Sequence, residues 1–474
     1  MLFSHPVFLF LFLPGFLVLY FCFPKSFKNF LLFMASLFFY TWGEDKIVLV
    51  MLFSTVMDFG CGQIIDRGWR KLGLGLSVFV NLSLLGIFKY FNFAFENFHT
   101  LLDFFEIAGP VYHSVPQIAL PIGISFYTFQ TLSYSIDVYR GNVKASRNFI
   151  EFGAYVTMFP QLVAGPIVRY STIQAQLKSR TITVDGFSVG VRRFVTGLAK
   201  KMLIANSCAQ VVDMVFEFSP TEVSTGWAWI GILAYSLQIY FDFSGYSDMA
   251  IGLGRMLGFN FLENFNYPYV AKSVQDFWRR WHISLSTWFR DYLYISLGGN
   301  RSGNTRTYVN LVVVFAVTGL WHGASWNFVF WGLFHGTFLI FERAGGGLLL
   351  KKLPGIVRHI YVLLMVVVGW VFFRADNLEI ALGYLNTMFS YNSGYIPANE
   401  YLGFFNDNRL VLTAGLAGCF FAMPSYNFIQ RRVSVYVGST TAKALEYGAL
   451  LLLFILTLTF VAADSYNPFI YFRF

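Results

Sequence analysis

Long apolar runs recur along the whole sequence, and they limit what this chain can fold into. A helix that crosses a membrane needs roughly 20 apolar residues, and several of the runs approach that length. Charged residues make up 12% of the chain, about half the usual share of a soluble protein, which excludes a water-soluble enzyme. We therefore predict an all-α, polytopic membrane protein of about 11 to 12 spanning helices plus re-entrant elements. The runs cover about 7 to 23, 29 to 42, 47 to 65, 72 to 92, 117 to 136, 194 to 216, 225 to 243, 308 to 324, 326 to 342, 357 to 374, 410 to 424 and 444 to 463.

Lysine and arginine are distributed unequally between the loops. If the N-terminus is extracytoplasmic and the loops alternate, nearly all of the 34 Lys and Arg residues lie in cytoplasmic segments, as the positive-inside rule requires. No small-residue cleavage site follows the first run, so we expect that run to be a membrane helix and not a removable signal peptide. The five cations left outside are Lys46, Lys89, Arg374, Arg409 and Arg473.

Two segments do not fit simple spanning. Residues 148 to 168 are apolar but interrupted at Phe159-Pro160 and Gly165-Pro166, with both ends on the cytoplasmic side, which favours a re-entrant element covered by protein. The inner stretch 244 to 306 is rich in aromatic residues and arginine, and we expect it to enter the inner face of the bilayer and to help enclose a cavity. We describe the chain as one membrane-embedded domain with N-terminal helices in 1 to 115, a catalytic core in 116 to 375 and C-terminal helices in 376 to 474.

The four cysteines and the net charge of +9 exclude several other classes of protein. The cysteines lie far apart and form no CxxC pair, so we expect neither a disulfide framework nor a metal site. The positive charge follows from the membrane orientation, and no basic block points to a nucleic-acid partner.

His322 is the first candidate for catalysis. It lies at the outer end of one apolar run, in TGLWHGASWNFVFWGLFHG, and an ionisable group at membrane depth is by default a functional hypothesis. Gly319 and Gly323 remove side-chain bulk on either side of the ring, as close approach by a ligand would require. The alternative is a structural histidine that is hydrogen-bonded to a backbone carbonyl.

His282 is the second candidate, in QDFWRRWHISLSTWFRDYLYISLGGNR. At helical spacing, Trp278, His282 and Ser286 would share one face. Guanidinium groups form paired hydrogen bonds with phosphate oxygens, so arginines near a cytoplasmic opening are candidates for holding a nucleotide-like donor. The alternative is that they contact anionic lipid headgroups. The candidate donor-binding residues are Arg279, Arg280 and Arg290, and the expected cavity lining is Trp278, Trp281, Trp321, Trp326 and Asn327.

His335 and three intramembrane carboxylates have weaker claims. His335 follows His322 by about 220° around one uninterrupted helix, which would point the two rings apart, so we interpret it as structural. Asp58, Asp242 and Asp248 come without Lys or Arg partners along one helix, but an ion path through them keeps a transporter possible on composition.

Several long motifs occur in an order that resembles the membrane-bound O-acyltransferases, and in particular the bacterial branch that acetylates polysaccharides. They are MLFSHPVFLFLFLP, LPIGISFYTFQTLSYSIDVYRG, MFPQLVAGPIVRY, FWRRWHISLSTWFRDYLYISLGGNR, TGLWHGASWNFVFWGLFHG, VGWVFFRA and YNPFIYFRF. The resemblance covers essentially the whole chain.

The resemblance implies a helical funnel in a bacterial inner membrane, with a cytoplasmic acyl donor and an acceptor reached from the other side. It implies that His322 and His282 are the catalytic histidines. We expect His322 to act as general base on the acceptor, and His282 to polarise the thioester carbonyl or to orient the donor. The donor is expected to be acetyl-CoA or another acyl thioester, with no tightly bound cofactor.

The acceptor is the least determined part of this prediction. In the alginate system, the resemblance implies that periplasmic acetyltransferase-type partner proteins pass the acetyl group to the polysaccharide. Lipid, teichoic-acid and protein acceptors remain alternatives, as do a transporter that makes no bond and a scaffold that recruits extracytoplasmic enzymes.

Overall fold

The computed structural model of the chain describes residues 1–106, 117–301, 303–394, 403, 409–419, 439–463 and 469–470. All regular structure in these ranges is helical, which confirms the predicted all-α class. The helices belong to two compact units. The first comprises Met1, Val7–Ile182 and Gly258–Phe261, and the second comprises Leu2–Pro6, Thr183–Leu257 and Leu262–Phe474. The expected core, 116 to 375, is therefore divided between the units.

The described part of the first unit contains nine α-helices. Wider π-helical turns, Phe8–Phe12 and Gly86–Tyr90, precede α1 and follow α4. The helices are α1 (Leu13–Cys22), α2 (Lys28–Glu44), α3 (Val48–Asp66), α4 (Arg70–Leu85), α5 (Phe91–Phe104), α6 (Ile124–Arg140), α7 (Phe149–Thr157), α8 (Phe159–Leu162) and α9 (Tyr170–Lys178).

The described part of the second unit contains twelve α-helices, interrupted by π-helical turns such as Lys200–Ala205 and Phe289–Tyr294. They are α10 (Val184–Ala199), α11 (Asn206–Phe216), α12 (Thr225–Met256), α13 (Val274–Arg280), α14 (Ile283–Trp288), α15 (Gly303–His322), α16 (Trp326–Phe341), α17 (Gly347–Lys352), α18 (Gly355–Arg374), α19 (Leu378–Phe389), α20 (Arg409–Cys419) and α21 (Ser439–Ala463).

Four helical segments among the described residues are long and apolar enough to cross a membrane. The longest, Lys25–Asp66, contains both α2 and α3 and bends at Asp45, whose φ is +43°. The other predicted spans fall on described helices too short or too polar to meet the same criterion, and the span at 410 to 424 lies partly outside the described residues, so the expected count of 11 to 12 stays a prediction. The other three segments are Arg70–Phe104, Gly355–Arg374 and Thr440–Ala463.

The interrupted segment 148 to 168 forms α7 and α8, with the break at Met158, and its side chains from Phe152 onward are buried. Polar side chains form hydrogen bonds with backbone N–H and carbonyl groups at the break. The N–H of Phe159 donates to Ser36 Oγ at 3.0 Å, and Gln161 Nε2 donates to the carbonyl of Tyr155 at 2.7 Å. Irregular backbone at membrane depth needs such protein partners, so the helix break and the protein cover expected for a re-entrant element are both present.

Helix α12 continues to Met256, well past the end of the apolar run predicted at 225 to 243. The first part of the expected inner stretch, 244 to 306, is therefore helical, and small residues let it pack closely against α10. A Cβ on Gly197 would lie 2.5 Å from the carbonyl oxygen of Gly245, and a Cβ on Gly252 would lie 2.7 Å from that of Gly190. The two backbones meet with no side chain between them, as in other closely packed membrane helices.

The carboxylates of α12, buried Asp242 and partly buried Asp248, have cationic partners on the neighbouring segment, which the sequence alone did not show. Asp248 accepts from Lys200 Nζ at 2.6 Å and from Arg193 at 2.8 Å, and Asp242 pairs with Lys201 Nζ at 2.7 Å. Direct pairing of this kind neutralises the buried charges and gives them a structural role.

Asp58 of α3 has polar partners of another kind. It accepts hydrogen bonds from Ser77 and Asn81 of α4 and from Ser135 of α6. All three carboxylates singled out in the sequence are therefore engaged by neighbouring side chains, and the argument for an ion path loses its main support.

Candidate active site

His322 is the last residue of α15, and its position depends on a close crossing between α15 and α16. A Cβ on Gly319 would lie 2.1 Å from the carbonyl oxygen of Phe328, and one on Gly323 would lie 2.1 Å from the Phe328 ring. These two glycines therefore allow helix packing, and the interpretation that they leave room for a ligand was wrong. Gly332 of α16 meets the Phe315 carbonyl oxygen of α15 in the same way, at 2.1 Å.

Aromatic side chains surround the His322 ring, which is only 4% exposed. Its centroid lies 5.0 Å from the rings of Trp321 and Trp331 and 5.3 Å from that of Phe373, each in an edge-on arrangement. Trp331 comes from α16 and Phe373 from α18. Three helices thus hold the imidazole in one place.

His282 lies in a break between α13 and α14, and it is fully buried. Its φ of +44° is left-handed, so the predicted single helix with Trp278, His282 and Ser286 on one face was wrong. The ring stands edge-on to Phe243 of α12, with the centroids 4.6 Å apart.

Asn264 contacts His282 and the two residues that follow it, and no sequence motif pointed to it. Its Oδ1 lies 3.2 Å from His282 Nδ1 and accepts from the backbone N–H of Ser284 at 3.1 Å, while its backbone carbonyl accepts from Ile283 at 2.9 Å. The side chain and the backbone carbonyl of Asn264 therefore each accept from one of the first N–H groups of α14, which have no partner within their own helix. An asparagine next to a turn was the only available signal, and that signal is weak.

The two histidines predicted to be catalytic lie together in the second unit. Their ring centroids are 6.4 Å apart with an angle of 57° between the planes, and Trp321 lies against both rings. Residues 40 positions apart in the sequence are thus close enough to contact one small acyl group, because each ring has a hydrogen-bond reach of about 3 Å.

The residues assigned to the cavity lining differ in their placement. Trp278, Trp281 and Trp321 are buried, and Trp278 packs edge-on against Trp331 with the centroids 5.7 Å apart. Trp326 is 53% exposed at the first turn of α16, and its place in the lining stays a prediction.

Asn327 is buried, but its role in the fold is helix connection. Its Nδ2 donates to the carbonyl of Ala375 at 2.7 Å, which ties the start of α16 to the residue that follows α18. This hydrogen bond accounts for the polar side chain without a ligand.

His335 is fully buried near His322, although one uninterrupted helix would have pointed them apart. The helix stops after His322 and restarts at Trp326, so both histidines contact Trp331, with centroid distances of 5.0 and 5.2 Å. Trp278 faces His335 edge-on at 5.1 Å, and a Cβ on Gly369 would lie 2.7 Å from its Nε2. This tight aromatic packing agrees with a structural role.

The three candidate donor-binding arginines are placed around α13 and α14, and two of them contact carboxylates. Arg280 Nε donates to Asp276 at 2.9 Å, and Arg290 Nε donates to Asp291 at 2.6 Å. The hydrogen bond to Asp291 raises the pKa of Arg290. Arg279 is exposed. Exposed ion pairs contribute about 0–1 kcal/mol, so Arg280 and Arg290 can exchange their carboxylates for phosphate at small cost.

Comparison with known proteins gives this site its chemical class. The sequence model of the membrane-bound O-acyltransferase family matches residues 35–373, which include both histidines. The chain belongs to the membrane-bound O-acyltransferase family. It is therefore an acyl-transferring enzyme and a multi-pass membrane protein, as the resemblance implied.

Relatives with assigned names include acetylating enzymes from several bacteria. A "probable alginate O-acetylase AlgI" of Azotobacter vinelandii is 42% identical to this O-acyltransferase over 515 residues, covering 100% of both chains. A protein of the same name from Pseudomonas aeruginosa is 47% identical over 399 residues, covering 83% of this chain and 76% of its own. A "peptidoglycan O-acetyltransferase" of Helicobacter pylori is 35% identical over 523 residues, covering 100% of this chain and 98% of its own.

Proposed function

We propose that this O-acyltransferase moves an acetyl group from a cytoplasmic thioester, acetyl-CoA, towards the hydroxyl groups of an extracytoplasmic polysaccharide such as alginate, by way of a periplasmic partner protein. Support comes from the names of the alginate O-acetylase and the peptidoglycan O-acetyltransferase, which are 42% and 35% identical to it. Alginate and peptidoglycan both offer sugar hydroxyls as acceptors. We place the enzyme in the bacterial inner membrane with its N-terminus outside the cytoplasm, in accordance with the positive-inside rule.

The close approach of His282 and His322 carries this proposal. In the reaction, the acceptor hydroxyl attacks the acyl carbon, an O–C bond forms, and the C–S bond of the thioester breaks. The hydroxyl proton passes to an imidazole and then to the departing thiolate, which leaves as a thiol. We assign the general base to His322, since a neutral imidazole can accept and return a proton near neutral pH.

The donor is proposed to bind from the cytoplasmic side. Arg279, Arg280 and Arg290 lie in a segment that the charge distribution assigns to the cytoplasm, and their guanidinium groups suit the phosphates of coenzyme A. We propose Trp278, Trp281 and Trp321 as lining for the flexible arm that carries the thioester. On the other side, a periplasmic acetyltransferase-type partner protein would receive the acetyl group and pass it to the polymer.

The test uses purified full-length protein in sealed proteoliposomes and acetyl-CoA labelled in its acetyl group. Alginate oligosaccharides and peptidoglycan fragments are supplied in parallel, with and without a periplasmic extract, on the face opposite the donor. We expect label to appear as alkali-labile ester on one polymer, and to disappear in the His322→Ala variant. Label that reaches no polymer hydroxyl, or that reaches one equally well in the variant, overturns the proposal.

A further inference from the structure

The orientation of the Asn264 side chain is fixed by its neighbours. The backbone N–H of Ser284 points at one end of the carboxamide at 3.1 Å, and an N–H group can only donate, so that end must be the oxygen. The other end, Nδ2, donates to Ser247 Oγ at 3.1 Å. A flipped amide would face the N–H of Ser284 with its own NH₂ group, so the assignment does not depend on the histidine.

This orientation determines where His282 carries its proton. The ring nitrogen Nδ1 lies 3.2 Å from the same amide oxygen. An amide oxygen has no proton to give, so Nδ1 must carry the hydrogen that makes this contact. A neutral imidazole has one N–H, and Nε2 is then left with a lone pair.

The surroundings of Nε2 suggest what this lone pair does. The atom is buried and makes no hydrogen bond to any residue of the described ranges. The rings of Phe243, Trp321 and His322 surround His282. A buried acceptor without a partner is costly, and at this position a hydrogen-bond donor on a substrate can satisfy it.

We propose that Asn264 is a positioning residue that holds His282 in its Nδ1–H tautomer, so that Nε2 accepts a hydrogen bond from an N–H or O–H group of a substrate. Polarising the thioester carbonyl requires a hydrogen-bond donor. Because Nε2 of His282 is an acceptor in this tautomer, His282 does not polarise that carbonyl. The identity of the bound group rests on the proposed function, which supplies two candidates: the acceptor hydroxyl and the amide N–H groups of the pantetheine arm.

The tautomer can be measured without any activity. Full-length protein labelled with nitrogen-15 histidine is compared by NMR with the His282→Phe variant, which assigns the two ring nitrogens of His282. We expect Nδ1 to give the signal of a protonated nitrogen and Nε2 that of an unprotonated one. The opposite pattern, or two protonated nitrogens, overturns the inference, whether or not acetyl transfer to a polysaccharide is found.

Two substitutions of Asn264 test its role in catalysis. Asn264→Asp keeps an oxygen facing Nδ1 and should retain kcat within about tenfold, whereas Asn264→Leu removes it and should lower kcat by about 100-fold, with KM changed far less. In the Asn264→Leu variant, the Nε2–H tautomer of His282 should also appear in the nitrogen-15 NMR spectrum. A Leu variant with normal kcat and an unchanged tautomer contradicts the positioning role.

Asn310→Leu is the matched control. Asn310 is equally buried, and its Nδ2 donates to the carbonyls of Gly299 and Leu297 at 2.9 and 3.2 Å, away from both histidines. It should lower thermal stability as Asn264→Leu does, but leave the His282 tautomer unchanged. If both variants lose the Nδ1–H tautomer of His282 equally, the cause is a general loss of packing in the fold and not the removal of Asn264.

The affinity of the His282→Phe variant for acetyl-CoA separates the two candidate groups. A weakened affinity identifies an amide of the pantetheine arm, and an unchanged affinity together with lost transfer identifies the acceptor hydroxyl. If the affinity and the transfer rate are both normal, Nε2 binds neither group and the proposal fails.

Discussion

Aromatic rings pack against His322 on several sides, and this affects what a general base at this position can do. Trp321, Trp331 and Phe373 each place an edge or a face against the imidazole, which leaves few alternative positions for the ring. A base that is already in place loses little freedom when the substrate arrives, and such positioning contributes typically about 10²–10⁴-fold to the rate. The ring thus combines a titratable group with a rigid apolar setting.

Replacing His322 by Ala should reduce acetyl transfer by at least about 100-fold, because the proton acceptor is lost. The variant should stay folded but unfold at a lower temperature, since the substitution leaves a cavity among three packed rings. Transfer of labelled acetyl groups and thermal unfolding in detergent measure the two effects. His335→Phe is the control, because it keeps ring volume at an equally buried site and should retain most of the activity. Near-normal transfer by the His322 variant would rule out its role as base.

The three arginines differ in their pairing, and their effects on donor binding should differ as well. Arg279→Gln should raise the donor KM severalfold, whereas Arg290→Gln should raise it less, because Asp291 already engages Arg290. The kcat should be nearly unchanged in both, since phosphate binding is about equal in the ground state and the transition state. Steady-state kinetics with acetyl-CoA decide this, and an unchanged KM in a triple Gln variant would contradict the donor site.

At the scale of helices, small residues decide which elements meet. The crossing of α15 and α16 at Gly319 and Gly332 brings backbone against backbone and sets the positions of both His322 and Trp331. The packing of α10 on α12 follows the same pattern through Gly197 and Gly245. In an apolar solvent, helices gain little from hydrophobic burial, so close van der Waals contact must hold them together.

Gly319→Ala should therefore lower both stability and activity. The added methyl group would lie 2.1 Å from the Phe328 carbonyl oxygen, so the helices must move apart, and overpacking of this kind costs typically about 1–3 kcal/mol. Thermal unfolding and acetyl transfer in detergent measure the result. Gly226→Ala, where the methyl group would meet no atom within 4 Å, is the matched control and should be neutral or slightly stabilising. Equal behaviour of the two variants would contradict the role of the crossing.

At the scale of the whole molecule, the charge distribution is the basis of the orientation that we propose for the enzyme in the membrane. The donor arginines belong to a segment assigned to the cytoplasm, whereas outer segments carry acidic residues such as Glu217 and Glu222. Membrane insertion retains Lys- and Arg-rich loops on the cytoplasmic side. The orientation therefore places the proposed donor and acceptor on opposite faces of the bilayer.

Cysteine labelling can check this orientation. In a variant without the four native cysteines, Glu217→Cys should react with a membrane-impermeant maleimide in intact spheroplasts, and Arg67→Cys should react only after permeabilisation. Both positions are exposed, so accessibility reflects the side of the membrane and not burial. If Arg67→Cys reacts in intact spheroplasts and Glu217→Cys only after permeabilisation, the proposed topology is wrong, and so are the proposed sides of donor and acceptor.

The sequence alone determined the class of this protein and the helical fold, and it supplied the two candidate histidines. Hydropathy, charge asymmetry and local motifs are properties of short stretches, and they do not depend on how the helices cross. The tertiary structure decided the rest: the left-handed break at His282, its contact with Asn264, and the Trp331 ring shared by His322 and His335. These features join residues that are distant in the chain, and they depend on where helices break and how closely glycines let them approach, which no local pattern encodes.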